Sequence, residues 1–181
     1  MRAMLATAAS AAALFGTTTA AHADQVTPRA ADAAPSVVKL QAAHSGQCLT
    51  IADGSFRNEA NAVQSKCADG LDNQLFELVP TDSATFEIRA KHSGKCLEVA
   101  DRDTKAGANV QQWWCVGDAP QQRWRLSTVD VIEDLYELRP AHALDRCLDI
   151  SGGSDKDGAN AQQWSCNGTT AQRWRLLPAA A

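Results

Sequence analysis

Positive charge is in short supply in this chain. Its 17 lysines and arginines are outnumbered by 21 aspartates and glutamates, which leaves a formal net charge of −4. Nucleic acids and anionic membranes both call for a basic face, so neither is an expected partner. Cysteine–cysteine and histidine–histidine pairs at the close spacing of zinc sites are missing too, which argues against a metal centre. Past the N-terminal region no apolar run is long enough to span a bilayer. No segment sustains the apolar period of a helix, so the framework must be built from something else.

The N-terminal exception reads as a secretory signal over residues 1–23. Arg2 supplies the positive start, Leu5 to Phe15 an alanine-rich apolar stretch, and Ala21-His22-Ala23 a small-residue cleavage site before Asp24. An extracellular location follows as an expectation. Residues 24–36, with Pro28, Pro35 and a run of alanines, read as a disordered lead-in. The remainder, 37–178 with a short tail at 179–181, suits one domain with one core.

That remainder is built on one run used three times. Gly94-Lys95-Cys96-Leu97-Glu98-Val99, then Val110-Gln111-Gln112-Trp113-Trp114-Cys115, then Gln122-Arg123-Trp124 return as Asp145-Arg146-Cys147-Leu148-Asp149-Ile150, Ala161-Gln162-Gln163-Trp164-Ser165-Cys166 and Gln172-Arg173-Trp174. A more worn copy precedes them: Gly46-Gln47-Cys48-Leu49-Thr50-Ile51, Ala62-Val63-Gln64-Ser65-Lys66-Cys67 and Gln74-Leu75-Phe76. The repeats span about 37–80, 81–128 and 129–178. A period of this size marks supersecondary units that cannot bury their apolar faces alone.

Each copy opens on an alternating run: Val38-Lys39-Leu40-Gln41, Phe86-Glu87-Ile88-Arg89 and Tyr136-Glu137-Leu138-Arg139. Period two means half-buried strands. A polar turn leads to a second strand carrying the first cysteine. A loop rich in Asp, Gly and Asn follows, then a third strand, and the Gln-x-Trp or Gln-x-Phe unit opens a fourth. The fold class is therefore all-β, with about twelve strands in total. Three such units must hide their edges; propellers take more blades, whereas a barrel capped by three hairpins uses three units fully.

Six cysteines in an exported chain imply three disulfides. The two cysteines of each copy are 19 positions apart, and this equal spacing selects Cys48 with Cys67, Cys96 with Cys115 and Cys147 with Cys166 from the possible pairings.

With these residues in place the chain resembles the ricin B type lectin domain, a β-trefoil carbohydrate-binding module. The resemblance covers roughly Val37 to Leu177 and rests on the three Gln-x-aromatic units in register with three cysteine pairs. It implies a shallow sugar pocket in each third: a carboxylate two residues after the first cysteine, a Gln and an aromatic four and two residues before the second, and Asn-Gln at the Gln-x-Trp unit. Carried over, the third copy supplies Asp149, Gln162 and Trp164 with Gln172 behind them, although Ala171 stands where the family often has Asn. The second supplies Glu98, Gln111, Trp113, Gln121 and Gln122, with Glu one methylene longer than the usual Asp. The first has Thr50, Val63 and Ser65 and is expected to be structural. Chemistry independent of the family agrees: a carboxylate accepts charge-assisted hydrogen bonds from vicinal hydroxyls, and an aromatic face covers the C–H patch of a sugar.

Strand parity places Gln111 with Trp113, and Gln162 with Trp164, on shared faces. Phe76, Trp124 and Trp174 are expected in the core, and Trp114 has no assigned role. A secreted carbohydrate-binding protein is the expected function, with no cofactor and a monomeric state; the resemblance implies galactosides, xylan or a similar glycan as partner. The alternative is a secreted protein-binding trefoil, such as an inhibitor or adhesion protein, whose pockets have decayed. A glycoside hydrolase would need two carboxylates facing one bond, and Glu98 and Asp149 occupy equivalent places in different thirds. His44, His92 and His142 each belong to a turn, are expected to be solvated, and form no nucleophile–base pair.

Overall fold

Alternation along the strands decides which side chains meet inside. The computed structural model describes residues 36–179 apart from residue 83; the expected leader at 1–23 and all of the lead-in but Ser36 lie outside the described residues. Among the described residues twelve strands follow one another: β1 (Ser36–Ala42), β2 (Cys48–Ile51), β3 (Ala62–Ser65), β4 (Phe76–Pro80), β5 (Phe86–Ala90), β6 (Cys96–Val99), β7 (Val110–Trp113), β8 (Trp124–Asp130), β9 (Leu135–Pro140), β10 (Arg146–Ile150), β11 (Ala161–Ser165) and β12 (Trp174–Pro178). The first strand thus takes in Ser36, the last residue of the expected lead-in.

Six strands close into an antiparallel ring. β1 pairs with β4, β4 with β5, β5 with β8, β8 with β9, β9 with β12, and β12 returns to β1. Closure leaves this ring without a free edge. The other six form the hairpins β2–β3, β6–β7 and β10–β11. Bridges Asn61–Gln111, Asn109–Gln162 and Val63–Asn160 link the hairpins to one another. This is a β-trefoil with pseudo-threefold symmetry.

The core repeats with the sequence. Leu40, Ile88 and Leu138 come from the leading strands, Leu49, Leu97 and Leu148 from the cysteine-bearing strands, and Phe76, Trp124 and Trp174 from the Gln-x-aromatic units; all are buried. Burying an indole strands its N–H unless a partner is found. Trp124 Nε1 donates to the Leu97 carbonyl at 2.9 Å and Trp174 Nε1 to the Leu148 carbonyl at 3.1 Å. Phe76 fills the same place with no donor to satisfy. The three disulfides pair as the spacing predicts, with Cα–Cα distances of 5.0, 5.0 and 5.1 Å.

Side chains that the sequence reading left aside hold the thirds together. Gln64, Gln112 and Gln163 are completely buried. Gln64 Nε2 donates to the carbonyls of Ser154 and Lys156, Gln112 Nε2 to those of Ser55 and Arg57, and Gln163 Nε2 to those of Asp103 and Lys105. Each third therefore grips a loop of the third before it, and the first grips the last. Histidines tighten the same seams. His44 Nε2 lies 2.9 Å from the Ser154 carbonyl, His92 Nε2 3.0 Å from that of Ser55, and His142 Nε2 2.8 Å from that of Asp103. The expectation that these histidines are solvated turn residues is corrected: each is half-buried because its ring nitrogen satisfies a carbonyl that the fold removes from water.

Candidate functional site

Antiparallel register builds the third-repeat site. β10 and β11 place Asp149 opposite Gln162 and Cys147 opposite Trp164. A tight turn of Ser151–Gly153 follows β10 directly, with Gly152 and Gly153 at φ of 65° and 58°. That turn forms one wall of a cleft of about 490 Å³, whose lining includes His44, Asp149, Gln162, Trp164, Asn167 and Ala171. Trp164 is 41% exposed, and its ring rests against Gly107 of the second repeat, where an added Cβ would lie 3.5 Å from it.

Asp149 is only 5% exposed. Gln162 Nε2 donates to its Oδ1 at 2.8 Å and Gln172 Nε2 to its Oδ2 at 3.1 Å. Burial raises its pKa above the ordinary carboxylate value, opposed by these two amides and by the nearby His44. The carboxylate is thus oriented by two donors at the floor of the cleft, with the indole beside it.

The second repeat repeats this arrangement with one methylene more. β6 and β7 pair Glu98 with Gln111. Gln111 Nε2 donates to Glu98 Oε1 at 3.1 Å and Gln122 Nε2 to Oε2 at 2.9 Å. The cleft here, about 340 Å³, is lined by Glu59, Glu98, Asp101, Arg102, Gln111, Trp113, Val116 and Gln121. Its longer acid is accommodated by the same amides, so the substitution does not dismantle the site.

Gln122 and Gln172 were expected among the binding residues, and their place is different. Both are completely buried. Besides the carboxylate, Gln172 Nε2 donates to the Ser165 carbonyl at 2.9 Å and its Oε1 accepts the Asn167 N–H at 2.8 Å; Gln122 does the same with Trp114 and Val116. They orient the acid and staple the loop behind it without reaching the cleft surface. Gln121 does line its cleft. In the first repeat Thr50 turns its hydroxyl onto the Cys48 carbonyl at 2.9 Å, and Gln74 Nε2 donates to that hydroxyl at 3.2 Å. No charged acceptor remains at this position.

Glu98 and Asp149 line separate clefts and do not face one another across a common bond, as a glycosidase pair must. Trp114, which the sequence left without a role, is 62% exposed and has the Lys95 ammonium 3.4 Å from its ring centroid. Glu59, a residue of the first repeat that completes the second cleft, was invisible to repeat-by-repeat reading. Its place follows from a backbone bond, Glu59 N–H to the Gln112 carbonyl at 3.0 Å.

Residues 84–180 match the ricin-type β-trefoil lectin domain family, and residues 25–113 match the ricin-type β-trefoil lectin domain-like family. Among curated protein sequences none matches. The designed threefold-symmetric protein ThreeFoil is similar at 38% identity and a TM-score of 0.73, over 78% of this chain and 97% of that one. An exo-β-1,3-galactanase from Clostridium thermocellum is similar at 29% identity and a TM-score of 0.73; the match covers 79% of this chain but only 30% of that enzyme. A ricin B-like lectin from Macrolepiota procera, solved in complex with lactose, shares the fold at 18% identity and a TM-score of 0.67, over 80% and 96% of the two chains. The closed six-strand ring, the three disulfide hairpins and these matches together place the chain in the ricin-type β-trefoil lectin domain family, whose role is carbohydrate binding.

Proposed function

We propose that this protein is a secreted lectin that binds sugar units of a polysaccharide or cell-surface glycan, chiefly through the third-repeat cleft and secondarily through the second, with the first repeat purely structural. The observation that carries this reading is Asp149: a carboxylate buried at the floor of an open cleft, held by two amides and flanked by a half-exposed indole. Such a carboxylate accepts from vicinal hydroxyls while the indole covers the apolar sugar face. A charge-assisted hydrogen bond of about 1.5–3 kcal/mol and an aromatic contact of about 0.5–1.5 kcal/mol exceed the entropy of association by little. Affinity per cleft should therefore be near millimolar, about −4 kcal/mol. Two clefts on one rigid body raise this by about 10²-fold on a polymer or clustered glycan.

Galactosides are the first ligands to test, since the Macrolepiota procera lectin is in complex with lactose and an earthworm lectin half with GalNAc. A pull-down on insoluble galactan, xylan and mannan, with Asp149→Asn and Trp164→Ala beside the unaltered protein, tests the reading. Retention on one polysaccharide, lost in both variants, supports it. Retention unchanged in both assigns binding to another surface, as the protein-binding alternative requires.

A further inference from the structure

We infer that the second-repeat cleft selects a sugar carrying a free ammonium group, an unacetylated amino sugar, whereas the third-repeat cleft takes a neutral one. This rests on the carbohydrate-binding reading of both clefts and concerns what distinguishes them. Among the described residues, Asp149 is the only carboxylate lining the third cleft, beside the glycine pair Gly152–Gly153 and Ala171. The second cleft holds three carboxylates, Glu59, Glu98 and Asp101, and one cation, Arg102. Gln121 lines this cleft as well. Acceptors and negative charge dominate such a wall, and an ammonium donating three N–H bonds is the group on a sugar that answers both.

The backbone singles out the same residues. Glu59, Asp101 and Arg102 adopt left-handed conformations with φ of 64°, 56° and 54°. The other copies use glycine at most of these places: Gly107 and Gly158 correspond to Glu59, Gly152 to Asp101, and Gly54 and Gly153 to Arg102. Glycine occupies that region freely, Asp tolerates it, and Glu or Arg is strained in it. The Glu59 place is also fixed. The N–H at the Glu59 place donates to Gln112, and those of Gly107 and Gly158 donate to Gln163 and Gln64 in the same way. Charged side chains are thus held at the mouth of this one cleft against the preference of the backbone. Arg102 also borders a neighbouring hollow lined by Asp82, Asp118, Arg123 and Arg125.

The test uses the full chain with Trp164→Ala, which silences the third cleft, and titrates it by calorimetry with a glucosamine tetrasaccharide, its N-acetylated counterpart and a galacturonate oligomer. The titration is run at about pH 6, where an amine is protonated. The ammonium sugar should bind about three- to tenfold more tightly than the acetylated one, on the scale of two exposed ion pairs. Adding Glu59→Gly with Asp101→Asn should abolish the preference. Glycine is the residue the other copies carry at the Glu59 place, so thermal stability should hold or rise, and lost binding would not reflect unfolding. Glu133→Gln with Asp155→Asn, exposed carboxylates outside the cleft, controls for overall charge and should leave the preference intact. Equal binding of the two glucosamine forms, or a preference for galacturonate that Arg102→Gln removes, overturns the inference. If the unaltered protein binds no sugar at all, the lectin reading fails with it; if the two glucosamine forms bind equally while neutral polysaccharides are still retained through Asp149 and Trp164, only this inference falls.

Discussion

Replacing Gln172 with alanine separates the two tasks of a side chain that touches no solvent. Gln172 makes three hydrogen bonds, to Asp149 Oδ2 at 3.1 Å, to the Ser165 carbonyl at 2.9 Å and from the Asn167 N–H at 2.8 Å. Its counterpart Gln74 also makes three, to Thr50 Oγ1 at 3.2 Å, the Lys66 carbonyl at 3.0 Å and from the Ala68 N–H at 2.9 Å. The loop staple is common to both, and only the carboxylate partner differs. Neutral bonds contribute about 1 kcal/mol each and one to a charged group about 1.5–3 kcal/mol. Gln74→Ala should thus cost about 3 kcal/mol and Gln172→Ala about 3.5–5 kcal/mol. Urea unfolding with the disulfides intact measures both, through the midpoint shift at constant slope. In a background of Asp149→Asn the difference should shrink, as a double-mutant cycle requires. Sugar binding at the third cleft should fall about tenfold or more in Gln172→Ala, because a misaimed acceptor loses most of its charge-assisted bond, and should be unaltered in Gln74→Ala. Equal stability costs, together with unaltered binding in Gln172→Ala, would refute the idea that the buried amide aims the acid.

Further outcomes follow from the same geometry. Burial raises the Asp149 pKa, so affinity at the third cleft should decline on acidification already above the usual carboxylate range, as titration of Glu98→Gln protein against its sugar would show. The folded state holds that proton more tightly than the unfolded chain, so this group alone makes the fold more stable as pH falls through the same window, and binding and stability move in opposite directions. Trp174→Phe removes the bond to the Leu148 carbonyl and leaves the arrangement Phe76 already has, so it should cost about 1–3 kcal/mol by urea unfolding rather than abolish folding. Replacing Cys147 and Cys166 together by serine reopens a loop whose cysteines are 19 residues apart and should cost about 3 kcal/mol on the chain-entropy account, read from the same unfolding curves.

Strand alternation, cysteine spacing and the Gln-x-aromatic units made the trefoil and its disulfides legible, because each is a local pattern repeated in register. Asp149 was grouped with Gln162 through the family resemblance, and the two residues pair across β10 and β11. What escaped were contacts whose partners lie in another third. Gln64, Gln112 and Gln163 look like neutral hairpin residues until the carbonyls they satisfy are seen to belong to a neighbouring repeat, and the histidines of the turns were misjudged on the same ground. Identity at those glutamine positions even in the worn first copy was the available signal. The depth of Gln122 and Gln172 could not be read from spacing, since exposure depends on how the following loop folds back. Glu59 was missed because a cleft shared across a seam has no signature inside one repeat.

The pairing of the first strand with the last has a consequence for synthesis. While a nascent chain still lacks Trp174–Pro178, β1 and β9 each keep an unpaired flank, and Gln64 cannot be matched by the Ser154 and Lys156 carbonyls until the third copy has emerged. Two completed thirds therefore remain an open ribbon exposed to mispairing with other chains. Commitment to the native state comes only with β12, which sets a demand on whatever accompanies this polypeptide during its synthesis.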